Sequence, residues 1–206
     1  LDEHIVYGAI AASGTIQDIG GIVGYLNQRH RLSWGLSLSH IPYSYYNYYA
    51  SYTVDSVDGV PTLLYNLDNY VLREFNDAVT AIAYYPLSRV YRIESGFGVT
   101  FLNYSYVKYR DIYVADATGY PLYQIDRQKE KLPAPGGYQY GTASLAFVAD
   151  DSKYGFTSPL DGYRFRLETD AIFGDYKFTS LQGDFRAYKY VKPVSFAARF
   201  AHYGRY

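Results

Sequence analysis

A chain of 206 residues has room for one sizeable domain, yet only 19% of its residues are charged and none is cysteine, which removes disulfides and thiolate metal centres. Lys and Arg number 19 against 20 Asp and Glu, so no broad field gathers nucleic acid and no nucleic-acid partner is expected. The aromatic residues are skewed to 28 Tyr against 11 Phe and 1 Trp; rings with a polar tip suit a boundary between apolar and wet phases.

No apolar run approaches the roughly 18 residues of a membrane-spanning helix. The mean hydropathy of -0.22 still fits membrane strands, because these alternate lipid-facing with lumen-facing residues and average to mild polarity. The sequence begins at Leu1 with neither Met nor a signal-peptide pattern. It is therefore expected to be a mature form, a fragment or the ordered part of something longer, with export inferred.

In chain order, nine strands are predicted. Ile5 to Ala11 and Gly21 to Leu26 come first. Arg31 to His40 alternates cleanly, with Leu32, Trp34, Leu36 and Leu38 on one face and Arg31, Ser33, Gly35, Ser37 and Ser39 on the other. Leu72 to Tyr85 follows. Tyr91 to Tyr104 then sets Tyr91, Ile93, Phe97, Val99 and Phe101 against Arg92, Glu94, Gly96, Gly98 and Thr100. After Tyr138 to Asp150, the segment Tyr163 to Phe173 alternates Tyr163, Phe165, Leu167, Ala171 and Phe173 with the charged Arg164, Arg166, Glu168 and Asp170. Phe178 to Tyr190 and Ser195 to Tyr203 complete the set. These lengths sit near the ~9–11 residues with which a tilted strand crosses a bilayer, whereas strands of soluble sandwiches run to about 5–6.

The connections alternate between short and long. Gln28-Arg29-His30, Pro86-Leu87-Ser88-Arg89 and Val191-Lys192-Pro193 are tight, whereas Ser44 to Asn69 and about Lys108 to Gly137 are long and are expected to be surface loops. Tight turns on one side and long loops on the other characterise outer-membrane barrels. The fold class expected is all-β, an antiparallel transmembrane β-barrel forming one domain over residues 1–206. An odd strand count does not close a usual bacterial barrel, so either the count is off by one, or another chain completes the wall, or, the reading preferred, the segment is part of a longer chain and incomplete at both ends.

The order of Gly24-Tyr25-Leu26-Asn27, Trp34-Gly35, His40-Ile41-Pro42-Tyr43, Tyr85-Pro86-Leu87-Ser88-Arg89 and Arg92-Ile93-Glu94 resembles bacterial surface-antigen barrels of the outer-membrane protein-assembly and translocation superfamily. Asp161-Gly162-Tyr163-Arg164-Phe165-Arg166, Asp184-Phe185-Arg186-Ala187-Tyr188 and the stretch from Ala198 to Tyr206 extend the likeness over nearly the whole chain. The nearest likeness is to members whose barrel follows a Tol-related propeller of tryptophan-aspartate-repeat type. The resemblance implies a larger barrel of about sixteen strands, in the outer membrane of a Gram-negative bacterium. It also implies a role in protein translocation or outer-membrane assembly, or in anchoring an envelope complex. The family's Arg-Gly-aromatic loop and its propeller have no counterpart in this sequence.

Within that frame, Leu32, Trp34, Leu36, Leu38, Phe97, Val99 and Phe101 are the membrane-facing candidates, with outer-membrane lipid and lipopolysaccharide as their partners. Arg164, Arg166, Glu168 and Asp170, faced by Asp184, Arg186 and Arg199, are the lumen-lining candidates. They either select solutes and seat a substrate segment or form an ion-pair network that stiffens the interior. The histidines His4, His30, His40 and His202 have no metal-site spacing, no Gly-x-Ser-x-Gly elbow occurs, and Asp150-Asp151 sits beside a predicted turn. No catalytic residue, cofactor or metal is therefore expected. The tyrosines Tyr43, Tyr45, Tyr46, Tyr48, Tyr49 and Tyr52 are expected to join an aromatic girdle near the strand and to offer a partner contact at the loop tip. The alternatives carried forward are a passive solute pore and a soluble, secreted all-β binding module.

Overall fold

The computed structural model describes residues 3–156 and 158–206. The alternating segments become strands of one antiparallel sheet: β1 (His4–Ala12), β2 (Ile19–Asn27), β3 (Ser33–Val57), β4 (Val60–Pro86), β5 (Tyr91–Ala115), β6 (Pro121–Leu132), β7 (Tyr138–Asp150), β8 (Lys153–Tyr154), β9 (Pro159–Gly174), β10 (Phe178–Val191) and β11 (Val194–Arg205). Nine of them follow the path β1-β2-β3-β4-β5-β7-β9-β10-β11, while β6 pairs with β5 and β8 with β9. A single 3-10 turn, Ile16–Asp18, is the only helical element among the described residues. The sheet is open: β1 and β11 are each paired on one side only, so the described strands do not close into a barrel.

The two predicted long loops are corrected. β3 and β4 stay in register from Ser33 opposite Tyr84 to Val57 opposite Val60. The chain reverses there over Asp58 and Gly59, whose φ values of 53° and 81° have the positive sign that a two-residue type I′ hairpin requires. Lys108 to Gly137 is also mostly a hairpin, with β5 running on to Ala115 and β6 returning beside it. Their polar composition masked a strand tendency carried by Tyr, Thr and Val, because a strand wet on both faces shows no oily stripe.

Two regions result. The base contains the tight turns and the adjoining lengths of all nine path strands, up to about the level of His40, Asp77 and Phe101, which the register aligns. Above it a fin rises, made of the remainder of β3, β4 and β5 with β6 as its outer strand. At the root of the fin β5 changes neighbour, pairing with β7 from Tyr91 to Leu102 and with β6 from Tyr106 onward.

Buried apolar side chains are few and small: Leu64, Val71, Leu102, Val107, Val114 and Ala115 along the strands of the fin and its root, and Ala146, Val148 and Ala149 on β7. A soluble domain buries the oily face of a sheet against a second layer. Here no second layer covers the base among the described residues, and both faces of the sheet remain open.

Candidate functional site

Period-two geometry and the register together decide which side chains share a face. In the base, one face carries Val6 and Ile10 on β1, Val23 on β2, Leu36 and Leu38 on β3 and Val79 on β4. The same face continues through Phe97 and Val99 on β5, Leu145 and Phe147 on β7, Leu167 on β9, Phe185 on β10 and Phe200 on β11. These side chains form a belt on one face of all nine path strands, and all but Val99 are uncovered: Leu36 is 50% exposed, Leu38 54%, Phe97 52% and Phe200 70%. Fully burying one such side chain is worth about 1.5–3 kcal/mol. A dozen left half-exposed therefore forfeit on the order of 10 kcal/mol in water, comparable with the whole stability of a domain. A patch of this extent marks an interaction surface.

The turn-side border of the belt is aromatic. Tyr25 packs edge-on against Trp34 with ring centroids 5.5 Å apart, the Arg31 guanidinium lies 4.8 Å from the centre of the Tyr85 ring, and the Tyr91 and Tyr163 hydroxyls hydrogen-bond at 2.6 Å. At the opposite border His40 stacks on Phe75 and its Nδ1 meets the Asp77 carboxylate at 2.5 Å. The six tyrosines between Tyr43 and Tyr52 do not encircle the sheet. They climb β3 into the fin, with Tyr43, Tyr45 and Tyr49 on one face and Tyr46, Tyr48 and Tyr52 on the other.

The second face of the base is lined by Gly35, Ser37, Ser39, Thr80, Gly96 and Gly98 in its middle and by charge toward β11. Arg166 donates to Glu168 at 2.7 and 3.1 Å and to Glu94 at 2.5 Å. Arg92 donates to Glu94 at 2.6 Å. Asp184 accepts from Arg186 at 2.8 Å and from Arg199 at 2.9 Å, and Asp170 accepts from the Ser180 hydroxyl at 2.7 Å. Ion pairs this open to solvent add little to stability; what they do here is hold the side chains in fixed directions. Toward β1 the polarity fades, since Ile5, Ile22 and Leu26 occupy this face of β1 and β2.

At the seam between base and fin, the β1–β2 turn folds back onto the belt side. Arg73 Nε donates to Asp18 Oδ1 at 2.9 Å, and Ser44 and Thr15 hydroxyls donate to the same carboxylate at 2.6 Å each. Both side chains are withdrawn from solvent, 2% and 5% exposed. The Arg73 guanidinium, followed by the Ser44 and Thr15 bonds, holds the Asp18 carboxyl well below the usual range in spite of burial. In the fin, a two-toothed pair from Arg110 to Asp68 at 2.6 and 2.7 Å likewise lowers the Asp68 carboxyl.

All seven predicted charged residues, Arg164, Arg166, Glu168, Asp170, Asp184, Arg186 and Arg199, lie on the second face. Trp34, Leu36, Leu38, Phe97, Val99 and Phe101 lie on the belt, whereas Leu32 falls in the turn just before β3. Pairing also brings in Arg92 and Glu94, whose alternation with Tyr91 and Ile93 was the available signal. The Asp18–Arg73 contact had no such signal. In comparisons with protein-family models, curated proteins and solved structures, nothing matches this chain.

Proposed function

We propose that this chain forms wall strands of a transmembrane β-barrel in the outer membrane of a Gram-negative bacterium, with outer-membrane lipid and lipopolysaccharide against the belt and a wet interior against the charged face. One observation carries the reading: an uncovered apolar row crosses nine neighbouring strands, backed from β3 to β11 by Gly, Ser, Thr and ion pairs on the reverse. Hydrocarbon is the solvent in which that row costs nothing, and ladder pairing satisfies the backbone within it.

The chain lacks cysteine, so single introduced thiols are unique labels. Nitroxides at Leu36→Cys, Ser37→Cys, Leu38→Cys and Ser39→Cys in lipid vesicles are expected to alternate, oxygen reaching Leu36 and Leu38 and a polar quencher reaching Ser37 and Ser39. Equal accessibility, or folding in water without detergent, overturns the reading in favour of a soluble binding module.

The motif resemblance supports, as a proposal, a role for such a barrel in protein translocation or outer-membrane assembly, or in anchoring an envelope complex with periplasmic partners. Depletion is then expected to lower the levels of other outer-membrane proteins, and normal levels would remove this role while leaving the wall. A passive solute pore is favoured instead by the exposed guanidinium groups of the reverse face. Single-channel conductance whose selectivity shifts in Arg166→Gln supports it, and a silent planar bilayer removes it.

A further inference from the structure

The rungs of the charged face nearest the tight turns hold mostly one sign of charge. Register aligns Asp150 of β7, Arg164 of β9, Arg186 of β10 and Arg199 of β11 in one rung. The rung above aligns Arg92, Val148, Arg166 and Asp184, and the next aligns Glu94, Ala146, Glu168 and Gln182. Five guanidinium groups thus meet two carboxylates in the lower pair of rungs.

The nearby acids are already engaged. Glu94 serves Arg92 and Arg166, Glu168 serves Arg166, and Asp184 serves Arg186 and Arg199. Asp150 accepts the backbone N–H of Ser152 at 3.1 Å. Arg164 makes no hydrogen bond or ion pair with any described residue, and it stands directly opposite Arg186. Like charges facing one another across a strand pair are unfavourable; Asp150, opposite Arg164 on the β7 side, offsets part of this, but one carboxylate at that position leaves the Arg164, Arg186 and Arg199 rung net positive. Over it opens a polar recess of about 160 Å³, lined by Arg92, Asp150, Arg164, Arg166, Asp184 and Arg186. That is room for several water-sized groups, since one water needs only about 10–15 Å³.

We propose that this recess binds an oxyanion, a carboxylate or phosphate group, held between Arg164 and Arg186. Guanidinium forks match the spacing of two oxygens on one centre, and a bound anion converts the Arg–Arg repulsion into two attractions. The opening of the recess to periplasmic water rests on the membrane reading; the binding itself does not. The oxyanion is either free in solution or carried by an acidic side chain of an extended peptide.

The test uses the full chain folded in detergent micelles, with inorganic phosphate titrated at low ionic strength by calorimetry. Saturable binding is expected, weakened at least about tenfold by Arg164→Gln, weakened less by Arg164→Lys, and unchanged by Arg205→Gln, which lies outside the recess. A hexaglutamate peptide in a second titration separates the sources: tighter binding than phosphate assigns the site to peptides, and weaker binding assigns it to free anions. Absence of saturable phosphate and peptide binding to the folded wild-type chain overturns the inference. Equal affinity in Arg164→Gln and Arg164→Lys overturns it as well. Nitroxide accessibility in the same preparation keeps the two ideas apart: alternation without anion binding removes this inference alone, and anion binding without alternation removes the membrane wall alone.

Discussion

β3, β4 and β5 each run through both base and fin without a break, yet the same strand obeys different chemistry along its length. On β3, Trp34, Leu36 and Leu38 alternate with Gly35, Ser37 and Ser39, and then from Tyr43 onward tyrosine occupies both faces. On β5, Phe97, Val99 and Phe101 alternate with small residues below, while Lys108, Arg110 and Asp111 enter ion pairs above. Backbone pairing therefore continues where the apolar row stops. The extent of the belt is set by side-chain alternation and not by strand length, and strands of 25–27 residues are far longer than the ~9–11 that a bilayer needs.

The sharpest way to break this contrast is at its seam. Asp18→Ala strands the buried Arg73 guanidinium without its carboxylate and is expected to cost roughly 3–5 kcal/mol, read as a lowered urea midpoint together with faster hydrogen exchange at the Thr15 backbone amide, whose hydrogen bond the Asp18 carboxylate accepts. Acid should act on the same contact. Asp18 and Asp68 have folded-state pKa values held below their unfolded ones, so each binds fewer protons folded than unfolded. The stability they add is complete above about pH 4 and is lost progressively as the pH falls below it. A seam whose protection factor, the observed exchange rate set against the intrinsic rate at each pH, stays flat from pH 6 to pH 2 would contradict this.

Next in size, Phe97→Arg in the belt is expected to destabilise the chain in vesicles by about 2–4 kcal/mol, whereas Val54→Arg in the fin should stay within about 0.5 kcal/mol. Equal penalties at the two positions would erase the distinction between the regions. Gly59→Ala places a Cβ at a φ of 81° and should cost about 1 kcal/mol, confined to exchange at the tip of the β3–β4 hairpin. The smallest effect on stability, under about 0.5 kcal/mol, is expected of the double change Lys129→Val with Lys131→Val. These charges guard the free edge of β6, so light scattering should rise although the denaturation midpoint hardly moves.

The elements that sequence made legible are those whose alternation separates two solvents. Tyr138 to Asp150 was predicted with the bounds that β7 has, and Phe178 to Tyr190 falls one residue short of β10. β6 was hidden because Asp126-Arg127-Gln128-Lys129-Glu130-Lys131 reads as a solvated run, although charge is what a free edge strand carries. The charged side chains of the candidate site were visible as an alternating row, but their partners were not. Arg166 meets Glu94 across β7, 72 residues away, and Arg73 meets Asp18 at a separation of 55. No local pattern encodes such distances.

Sequence alone thus determined that the strands around Leu36, Phe97 and Leu167 have one oily and one polar side, because a side-chain period of two is a local property of extended backbone. Tertiary structure decided the rest: that β5 shares one edge between β6 and β7, that Arg164 faces Arg186, and that the β1–β2 turn closes the seam over Arg73. These depend on register, and register is chosen by the sum of pairings along whole strands.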